Sequence, residues 1–268
     1  MPQPRYACFT LDYELDYGGR LRQFDTLKQR RQHEELARFL HDESIPLSAF
    51  IQTQTLKDYP ESETVIRSLA SDFHSHSHTH ASKGFASREE FITSKKIIED
   101  TFGQQTVGYR APFGKLYPGD HELLSELNFS FDASIFPSYR PGKFNHLSAS
   151  IEPTRLPCGL QEIPFAVIPK VRLILGISYM KLLGYGFYEN FMKVFGLPEV
   201  VVFYGHMHDY FPTPGVNTLP LPLRKAFNRN SGQALAITKK FMQHLKRNQY
   251  QMVTMSALAH VLKDRAVR

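Results

Sequence analysis

Cysteine is scarce in this sequence, with Cys8 and Cys158 as the only two among 268 residues. They form no CxxC pair, so the sequence offers neither a disulfide framework nor a cysteine-based zinc site. Disulfide bonds form in oxidising compartments, and domains that depend on them are rich in cysteine. We therefore expect a protein of a reducing compartment, and we predict a cytoplasmic location.

Long apolar runs are also missing. A membrane-spanning helix needs about 18 or more consecutive apolar residues, and the most apolar region, Val167–Leu183, is interrupted by a proline and three basic residues. The N-terminus has no apolar segment before its first charged residues, which argues against a secretory signal peptide. We predict at most a peripheral association with a membrane.

Acidic residues are fewer than basic ones, which gives a net charge of +6 and a pI of about 9.2. No run of lysine or arginine is longer than two residues. Because a clustered basic patch is the usual footprint of nucleic-acid binding, we expect no nucleic-acid partner. The positive balance instead favours a phosphate-bearing substrate or a phospholipid surface.

Apolar runs alternate with amphipathic stretches along the chain. The predicted strands are Tyr6–Leu11, Leu47–Gln52, Asp72–His80, Thr106–Tyr109, Phe129–Ile135, Leu160–Phe165, Glu199–Tyr204 and Gln251–Met255. The predicted helices are Asp25–His41 with Asp25 as its cap, Ser62–Leu69, Ser87–Gly103 with a Ser87–Glu90 capping box, Asp120–Leu127 and Gln233–Lys246. This alternation predicts a parallel sheet, open or closed into a barrel, in a single domain over residues 1–268.

The first predicted strand ends in two carboxylates, Asp12 and Glu14. Residues two apart in an extended chain share a face, so both side chains point the same way. Two such carboxylates repel each other unless a cation or a shared proton lies between them. The pair indicates either a metal site or a solvated strand end.

The third predicted strand carries the histidine-rich segment HSHSHTH, residues 74–80. Imidazole is the commonest zinc ligand near neutral pH. Two pairs have the spacing that brings their rings to one side, His74 with His78 and His76 with His80. The segment predicts a metal site and leaves open which pair binds.

Two further strand ends carry reactive groups. Arg110 begins the segment RAPFG, where an arginine can hold a carboxylate and a Pro-Gly turn can present backbone N–H groups. The strand Glu199–Tyr204 leads into GHMHD, in which either His206 or His208 is a candidate general acid or base.

Taken together and in this order, these segments resemble the polysaccharide deacetylase superfamily, the NodB-homology carbohydrate esterases. The segments that carry the resemblance are TLDYE at 10–14, HSHTH at 76–80, RAPFG at 110–114, DASIFP at 132–137, QEIP at 161–164 and the late His206. The resemblance implies a distorted (β/α) barrel with about seven parallel strands. It also implies roles for individual residues.

By this resemblance His76 and His80 bind the metal together with a carboxylate, for which Glu14 and Asp12 both remain candidates. Asp12 is expected to be the catalytic base, oriented by Arg110. The backbone N–H of Phe113 would stabilise the oxyanion, and His206, with His208 as the alternative, would be the acid. The residues expected to contact substrate are Tyr13, Pro112, Asp132 and His208.

The function that this resemblance implies is a metal-dependent N-deacetylase. Its substrate would be an N-acylated aminosugar in a polysaccharide, an oligosaccharide, or a lipid-linked or nucleotide-linked glycan. Zinc is the expected divalent metal, with cobalt, nickel and iron as alternatives, because all four occupy sites made of two histidines and a carboxylate. The alternatives are a catalytically silent metal-binding or glycan-binding barrel, and a relative that hydrolyses a non-sugar amide. The sequence predicts no oligomeric state.

Overall fold

The computed structural model describes residues 4–80 and 88–265. Its strands are β1 Arg5–Tyr13, β2 Leu47–Ile51, β3 Asp72–Ser75, β4 Gly108–Tyr109, β5 Phe131–Asp132, β6 Tyr139–Arg140, β7 Phe144–Asn145, β8 Thr154–Arg155, β9 Gln161–Glu162, β10 Val167–Ile168, β11 Leu173–Ile174, β12 Val200–His206 and β13 Tyr250–Met252.

Its α-helices are α1 Asp16–Gly19, α2 Arg30–Asp42, α3 Gln54–Asp58, α4 Glu61–Leu69, α5 Arg88–Phe102, α6 Asp120–Glu126, α7 Ile177–Leu183, α8 Tyr185–Phe195, α9 Met207–Tyr210, α10 Leu221–Asn228, α11 Ala234–Arg247 and α12 Met255–Arg265. Short 3₁₀ turns cover Asp25–Lys28, Pro112–Gly114, Pro214–Thr218 and Ser231–Gln233. No helix of the described residues is long and apolar enough to cross a membrane.

The main sheet contains seven parallel strands in the order β12, β1, β2, β3, β4, β5 and β9. Strand β8 adds an antiparallel edge beside β9, and β13 pairs with the start of β1. The sheet curls into a half-barrel with helices around it. The predicted distorted (β/α) barrel with about seven parallel strands is therefore confirmed.

Strand β1 is the second strand of this sheet, between β12 and β2, and its two faces are buried differently. Its odd-numbered side chains, such as Phe9 and Leu11, pack in the apolar layer beneath the helices. Its even-numbered side chains face the barrel interior, where Tyr6 and Cys8 form the floor with apolar residues of other strands. Asp12 continues this inward-facing series at the carboxyl end of the strand, which is where such barrels place their reactive groups.

The predicted starts of two helices lie at Asp25 and Ser87, and only the first falls within the residues that the structure describes. The predicted helix Asp25–His41 is wrong at its beginning, because Asp25–Lys28 forms a 3₁₀ turn and α2 starts only at Arg30. The turn is held by the Asp16 carboxylate, which accepts hydrogen bonds from the Asp25 and Thr26 backbone N–H groups. Asp25 therefore does not cap the helix. Ser87, the predicted cap of α5, lies outside the described residues.

Candidate active site

Glu14, His76 and His80 meet at the open end of the barrel, and all three side chains are buried. The Oε2 atom of Glu14 lies 3.4 Å from Nε2 of His76 and 2.5 Å from Nε2 of His80. One ligand atom from each residue lies within 4.8 Å of the other two. These residues come from the end of β1 and from the loop that follows β3.

Local backbone structure aims both imidazoles at this point. Nδ1 of His76 lies 2.8 Å from the carbonyl oxygen of Arg110 and donates to it, so Nε2 keeps its lone pair facing Glu14. His80 has a left-handed backbone with φ of 56°, and its N–H donates to Oγ of Ser77. The turn between the two histidines therefore brings both rings to the same carboxylate.

This arrangement fits a divalent metal ion. His80 Nε2 is buried and makes no hydrogen bond among the described residues, although Glu14 Oε2 is so near. Ligand atoms bound at about 2.0–2.1 Å around one tetrahedral ion lie about 3.4 Å apart. Burial alone would raise the pKa of Glu14, but His80, His76 and His206 hold it well below its ordinary value. A carboxylate and two imidazoles are the donor set that zinc prefers.

The other histidine pair lies elsewhere. His74 is buried between the rings of Phe50 and Phe131, with its Nε2 atom 2.9 Å from Oδ2 of Asp72. Nδ1 of His78 lies 2.9 Å from Oγ1 of Thr53. The structure thus places His76 and His80, and not this pair, beside Glu14.

Asp12 is held by a fully buried arginine. Nη1 of Arg110 lies 2.5 Å from Oδ1 of Asp12 and 3.0 Å from Oγ1 of Thr10. The guanidinium lies between two phenyl rings, 3.8 Å from the centre of Phe50 and 4.4 Å from that of Phe165. Only one of its N–H groups reaches Asp12, so the contact is not the two-point fork that an arginine can make. It fixes one carboxylate oxygen and leaves the other toward the cavity.

His206, at the end of β12, faces both carboxylates of β1. Its Nε2 atom lies 3.7 Å from Oδ2 of Asp12 and 3.7 Å from Oε1 of Glu14. Its Nδ1 atom lies 3.3 Å from Oδ2 of Asp209. Burial lowers the pKa of His206, but the hydrogen bond to Asp209 and the charges of Glu14 and Asp12 outweigh it and raise the pKa to about 9.

Asp209 was not among the predicted site residues. It occupies the third position of α9, and its carboxylate accepts the His206 backbone N–H at 3.1 Å and the Ser178 hydroxyl at 2.7 Å. The buried ammonium of Lys181 lies 3.3 Å from its other oxygen. Burial would raise the pKa of Asp209, but Lys181 and His206 keep it well below its ordinary value. The sequence signal was the acid three residues after the histidine, which is capping-box spacing.

His208 lines the same cavity, but its ring differs from that of His206 in charge. Its ring stacks on that of His206, with 4.9 Å between the ring centres. The centres of the Tyr17 and Phe227 rings lie 5.0 and 5.1 Å from it. Burial lowers the pKa of His208 to about 3, so the ring is neutral near pH 7. These contacts favour His206 as the proton donor and leave His208 as part of the cavity wall.

Three residues expected to contact substrate do not reach the cavity. Tyr13 is an odd-numbered residue of β1, so it points into the helix layer and donates its hydroxyl to the carbonyl of Ser62 at 2.8 Å. Asp132 is fully buried and accepts the Ser134 hydroxyl at 2.5 Å. Pro112 is buried at the start of its turn, whereas its neighbour Phe113 lines the cavity. The cavity lining does not include these three residues, and their contact with substrate stays a prediction.

Asp12, Glu14, His76, Arg110 and His206 line one cavity of about 220 Å³. One wall is aromatic, and its rings belong to Phe136, Phe144, Phe165, Tyr204 and Phe227. Three cationic side chains stand on exposed parts of the rim, those of Arg20, Arg140 and Lys143. No sequence motif predicts this wall or this rim, because both consist of residues from distant parts of the chain.

A family model described as polysaccharide deacetylase matches residues 22–131. No curated protein sequence matches the chain. A polysaccharide deacetylase-type structure from Mycobacterium smegmatis has a TM-score of 0.63 at 17% identity, covering 99% of this chain and 93% of its own. The structure of Puue allantoinase has a TM-score of 0.57 at 14% identity, covering 95% of this chain and 89% of its own.

A pseudoenzyme of the CE4 family from Bacillus anthracis has a TM-score of 0.53 at 11% identity, covering 97% of this chain and 66% of its own. At these identities the structures show the fold alone. The matched segment 22–131 contains His76, His80 and Arg110 but neither Asp12 nor His206. The sequence match over residues 22–131 and the similar fold together confirm the resemblance to polysaccharide deacetylases that the motifs predicted.

Proposed function

We propose that this protein is a metal-dependent N-deacylase that removes an acetyl or related acyl group from an aminosugar. The observation that carries the proposal is that three units meet at one cavity. These units are the cluster of Glu14 with two histidines, the Asp12–Arg110 ion pair, and the His206–Asp209 pair.

Glu14, His76 and His80 would hold the metal through one carboxylate oxygen and two Nε2 atoms. A divalent metal bound there would supply a water of lowered pKa and polarise the acyl carbonyl. Three protein ligands are the number found in catalytic zinc sites, which keep one position open. The rest of the chemistry falls to the protein's own side chains.

Asp12 is the proposed general base. Its Oδ1 atom is engaged by Arg110, while Oδ2 faces the cavity near His206. A carboxylate fixed in this way can accept the proton that the nucleophilic water loses during attack. The buried guanidinium keeps the carboxylate in one orientation, so little reorganisation is needed when the proton moves.

The backbone N–H of Phe113 is the proposed oxyanion donor. Phe113 lies at the second position of the 3₁₀ turn Pro112–Gly114, and its N–H makes no hydrogen bond among the described residues. A free, fixed N–H group at a site of developing negative charge stabilises the transition state. The left-handed backbone of Phe113, with φ of 58°, belongs to the same turn.

His206 is the proposed general acid. An amide nitrogen leaves only after it has been protonated, and a pKa of about 9 keeps His206 protonated at neutral pH. Asp209 accepts from Nδ1 and so directs Nε2 toward the two carboxylates of β1. Proton removal by Asp12 and proton delivery by His206 thus take place on one side of the same cavity.

The cavity rim favours a substrate with a negatively charged group. Arg20, Arg140 and Lys143 form no salt bridge with a carboxylate among the described residues. Cations without a salt-bridge partner are available to an anion of the substrate, and the arginine guanidinium matches the geometry of a phosphate. We therefore propose an N-acylated sugar that carries a phosphate.

The test compares two histidines of the same segment. His76→Ala should lose bound metal and acetate release from an N-acetylated sugar together, because Nε2 of His76 is a ligand. His78→Ala is the matched control and should keep both, since its ring bonds to Thr53. Metal content is measured by elemental analysis and acetate by an enzymatic assay. Metal retention by His76→Ala would refute the ligand set, and wild-type protein that binds metal without releasing acetate would indicate a silent relative.

A further inference from the structure

Helix α8 is apolar on the side that faces the solvent. Tyr188 and Met192 point into the core, yet Phe187 and Val194 on the other side are 41% and 73% exposed. Phe187, Phe191 and Val194 follow helical spacing, and the rings of Phe187 and Phe191 lie 4.7 Å apart. We call these three residues, with the exposed Leu183 just before the helix, the apolar face. A contiguous exposed patch of this kind marks an interaction surface.

The apolar face continues to the mouth of the catalytic cavity. Leu182, at the end of α7, is exposed and lines the cavity. Helix α10 packs against α7 and contributes Leu223 and Phe227 to the cavity, while its Leu221 is exposed. A partner that covered the apolar face would therefore also adjoin the cavity entrance.

The segment that forms this surface is strongly basic. Residues 170–250 contain eleven lysines and arginines and only three acidic residues, a net charge of +8. Because the whole chain carries +6, the remaining residues sum to −2. Some of these charges are paired: Lys181 with Asp209 in the buried active site, Lys193 with Glu189 on α8, and Lys246 with Glu43. Lys240 lies 6.0 Å from the ring of Tyr185 at the start of α8.

Apolar side chains surrounded by basic ones match an anionic lipid surface. Helices that lie in the membrane interface bury their apolar side among the acyl chains and place lysine and arginine at the headgroups. Each basic residue near such a surface gains about 1 kcal/mol, which is about fivefold in partitioning. A second copy of this chain fits less well, because it would bring the same basic segment against the first.

We propose that the apolar face docks on an anionic membrane surface and that the substrate is a sugar attached through phosphate to a lipid. The lipid stays in the bilayer while the sugar enters the cavity beside it. Arg140 and Lys143 on the rim meet the phosphate. The substrate part of this inference rests on the proposed deacylase function, and the docking part does not.

The experiment is cosedimentation of the metal-loaded protein with vesicles. Vesicles of phosphatidylglycerol and phosphatidylcholine in equal parts should bind the protein, more weakly as salt rises, and vesicles of phosphatidylcholine alone should bind much less. Phe187→Ser and Val194→Ser should each lower partitioning by about tenfold, because each removes an exposed apolar side chain that docking would bury in the membrane. Lys193→Gln should lower it by about fivefold.

Helix α5 provides matched controls on another part of the surface. Ile92 is 45% exposed, and Lys96 pairs with Asp100 four residues away as Lys193 pairs with Glu189. Ile92→Ser and Lys96→Gln should leave vesicle binding unchanged. Docking is overturned if the wild-type protein ignores anionic vesicles or if the controls lose as much binding as the α8 variants. Loss of a lipid-free dimer in Val194→Ser would identify a second copy as the occupant instead.

Activity separates this inference from the proposed function. Val194→Ser should release acetate from a soluble N-acetylated sugar phosphate at the wild-type rate, because Val194 does not line the cavity. Its rate on the same sugar phosphate linked to a lipid in vesicles should fall in step with its vesicle binding. Vesicle binding without any hydrolysis would refute the deacylase and support docking, whereas hydrolysis without vesicle binding would refute docking alone.

Discussion

Replacing Asp12 by Asn tests the buried ion pair and the catalytic base in one protein. The Arg110 guanidinium is fully buried, and its Nη1 atom lies 2.5 Å from Oδ1 of Asp12. Asp12→Asn leaves that charge without its carboxylate, and removing one partner of a buried pair costs about 3–5 kcal/mol of the free energy of unfolding. Loss of a general base lowers turnover by about 10²–10⁴-fold. Bound metal should be retained, since Glu14 and the two histidines are unchanged.

The measurements are urea unfolding, metal content and acetate release, all at neutral pH. The double variant Asp12→Leu/Arg110→Met replaces both charges by apolar groups, so it should recover most of the lost stability but none of the turnover. An Asp12→Asn protein with wild-type stability would refute the buried ion pair. One that is destabilised yet turns over normally would keep the ion pair and refute the base.

Three further predictions concern other parts of the molecule. Asp209→Asn should lower kcat by about 10–100-fold with little change in KM, because the partner that orients the proposed acid loses its charge. Burial lowers the pKa of His33 from 6.5 to about 4, so below pH 6.5 the unfolded chain binds a proton that the native state does not. The contribution of His33 to the free energy of unfolding should therefore fall by up to about 3 kcal/mol as the pH drops to 4, and in urea titrations His33→Phe should remove that contribution and leave those of other titrating groups. Gly108→Ala should cost about 1–3 kcal/mol, since its Cβ would lie 2.2 Å from a phenyl ring.

Each of these predictions has a control or a contrary outcome. Asp209→Asn acting through KM alone would indicate a substrate contact instead of a positioning role. A His33→Phe protein whose stability changes between pH 6.5 and 4 by the same amount as that of the wild type would contradict the buried neutral state of His33. Gly186→Ala, in helix α8 with no atom near the new Cβ, should instead be neutral or stabilising by about 0.5–1 kcal/mol.

Strand periodicity explains which site residues could be predicted from the sequence. Asp12 and Glu14 were predicted to share a face, and both do face the cavity because they continue the even-numbered side chains of β1. The same alternation places Tyr13, which lies between them, on the opposite face of the strand. Its assignment came from its place in the motif, which does not say where a side chain points.

The choice between histidine pairs could not be made from spacing. His74 with His78 and His76 with His80 are equally separated, and what decides between them is the turn in which His80 has a positive φ. The ion pair of Lys181 with Asp209 could not be predicted either, because the two residues are 28 positions apart and nothing in the sequence links them. Contacts between distant segments need the fold.

Helices α7 and α8 were not predicted, and the reason is the composition of α8. Tyr188 and Met192 on its inner side and Phe187 and Val194 on its outer side are all apolar. Aromatic side chains are typical of strands, and glycines at 184, 186 and 196 disfavour a helix, so local propensity did not predict one here. The exposed aromatic ring of Phe187 also belongs to the apolar face that is proposed to dock on a membrane.

The position of two carboxylates at the end of one strand also bears on how this protein could acquire new substrates. Asp12 lies in β1 and Glu14 directly follows it, so extended backbone geometry separates their Cα atoms by about 6.8 Å. Both edges of β1 are hydrogen-bonded to neighbouring strands, so the distance between the two carboxylates is fixed. Loops such as the one carrying Arg140 and Lys143 can lengthen, shorten or change charge without altering it. Substrate preference and reaction geometry are therefore free to evolve independently.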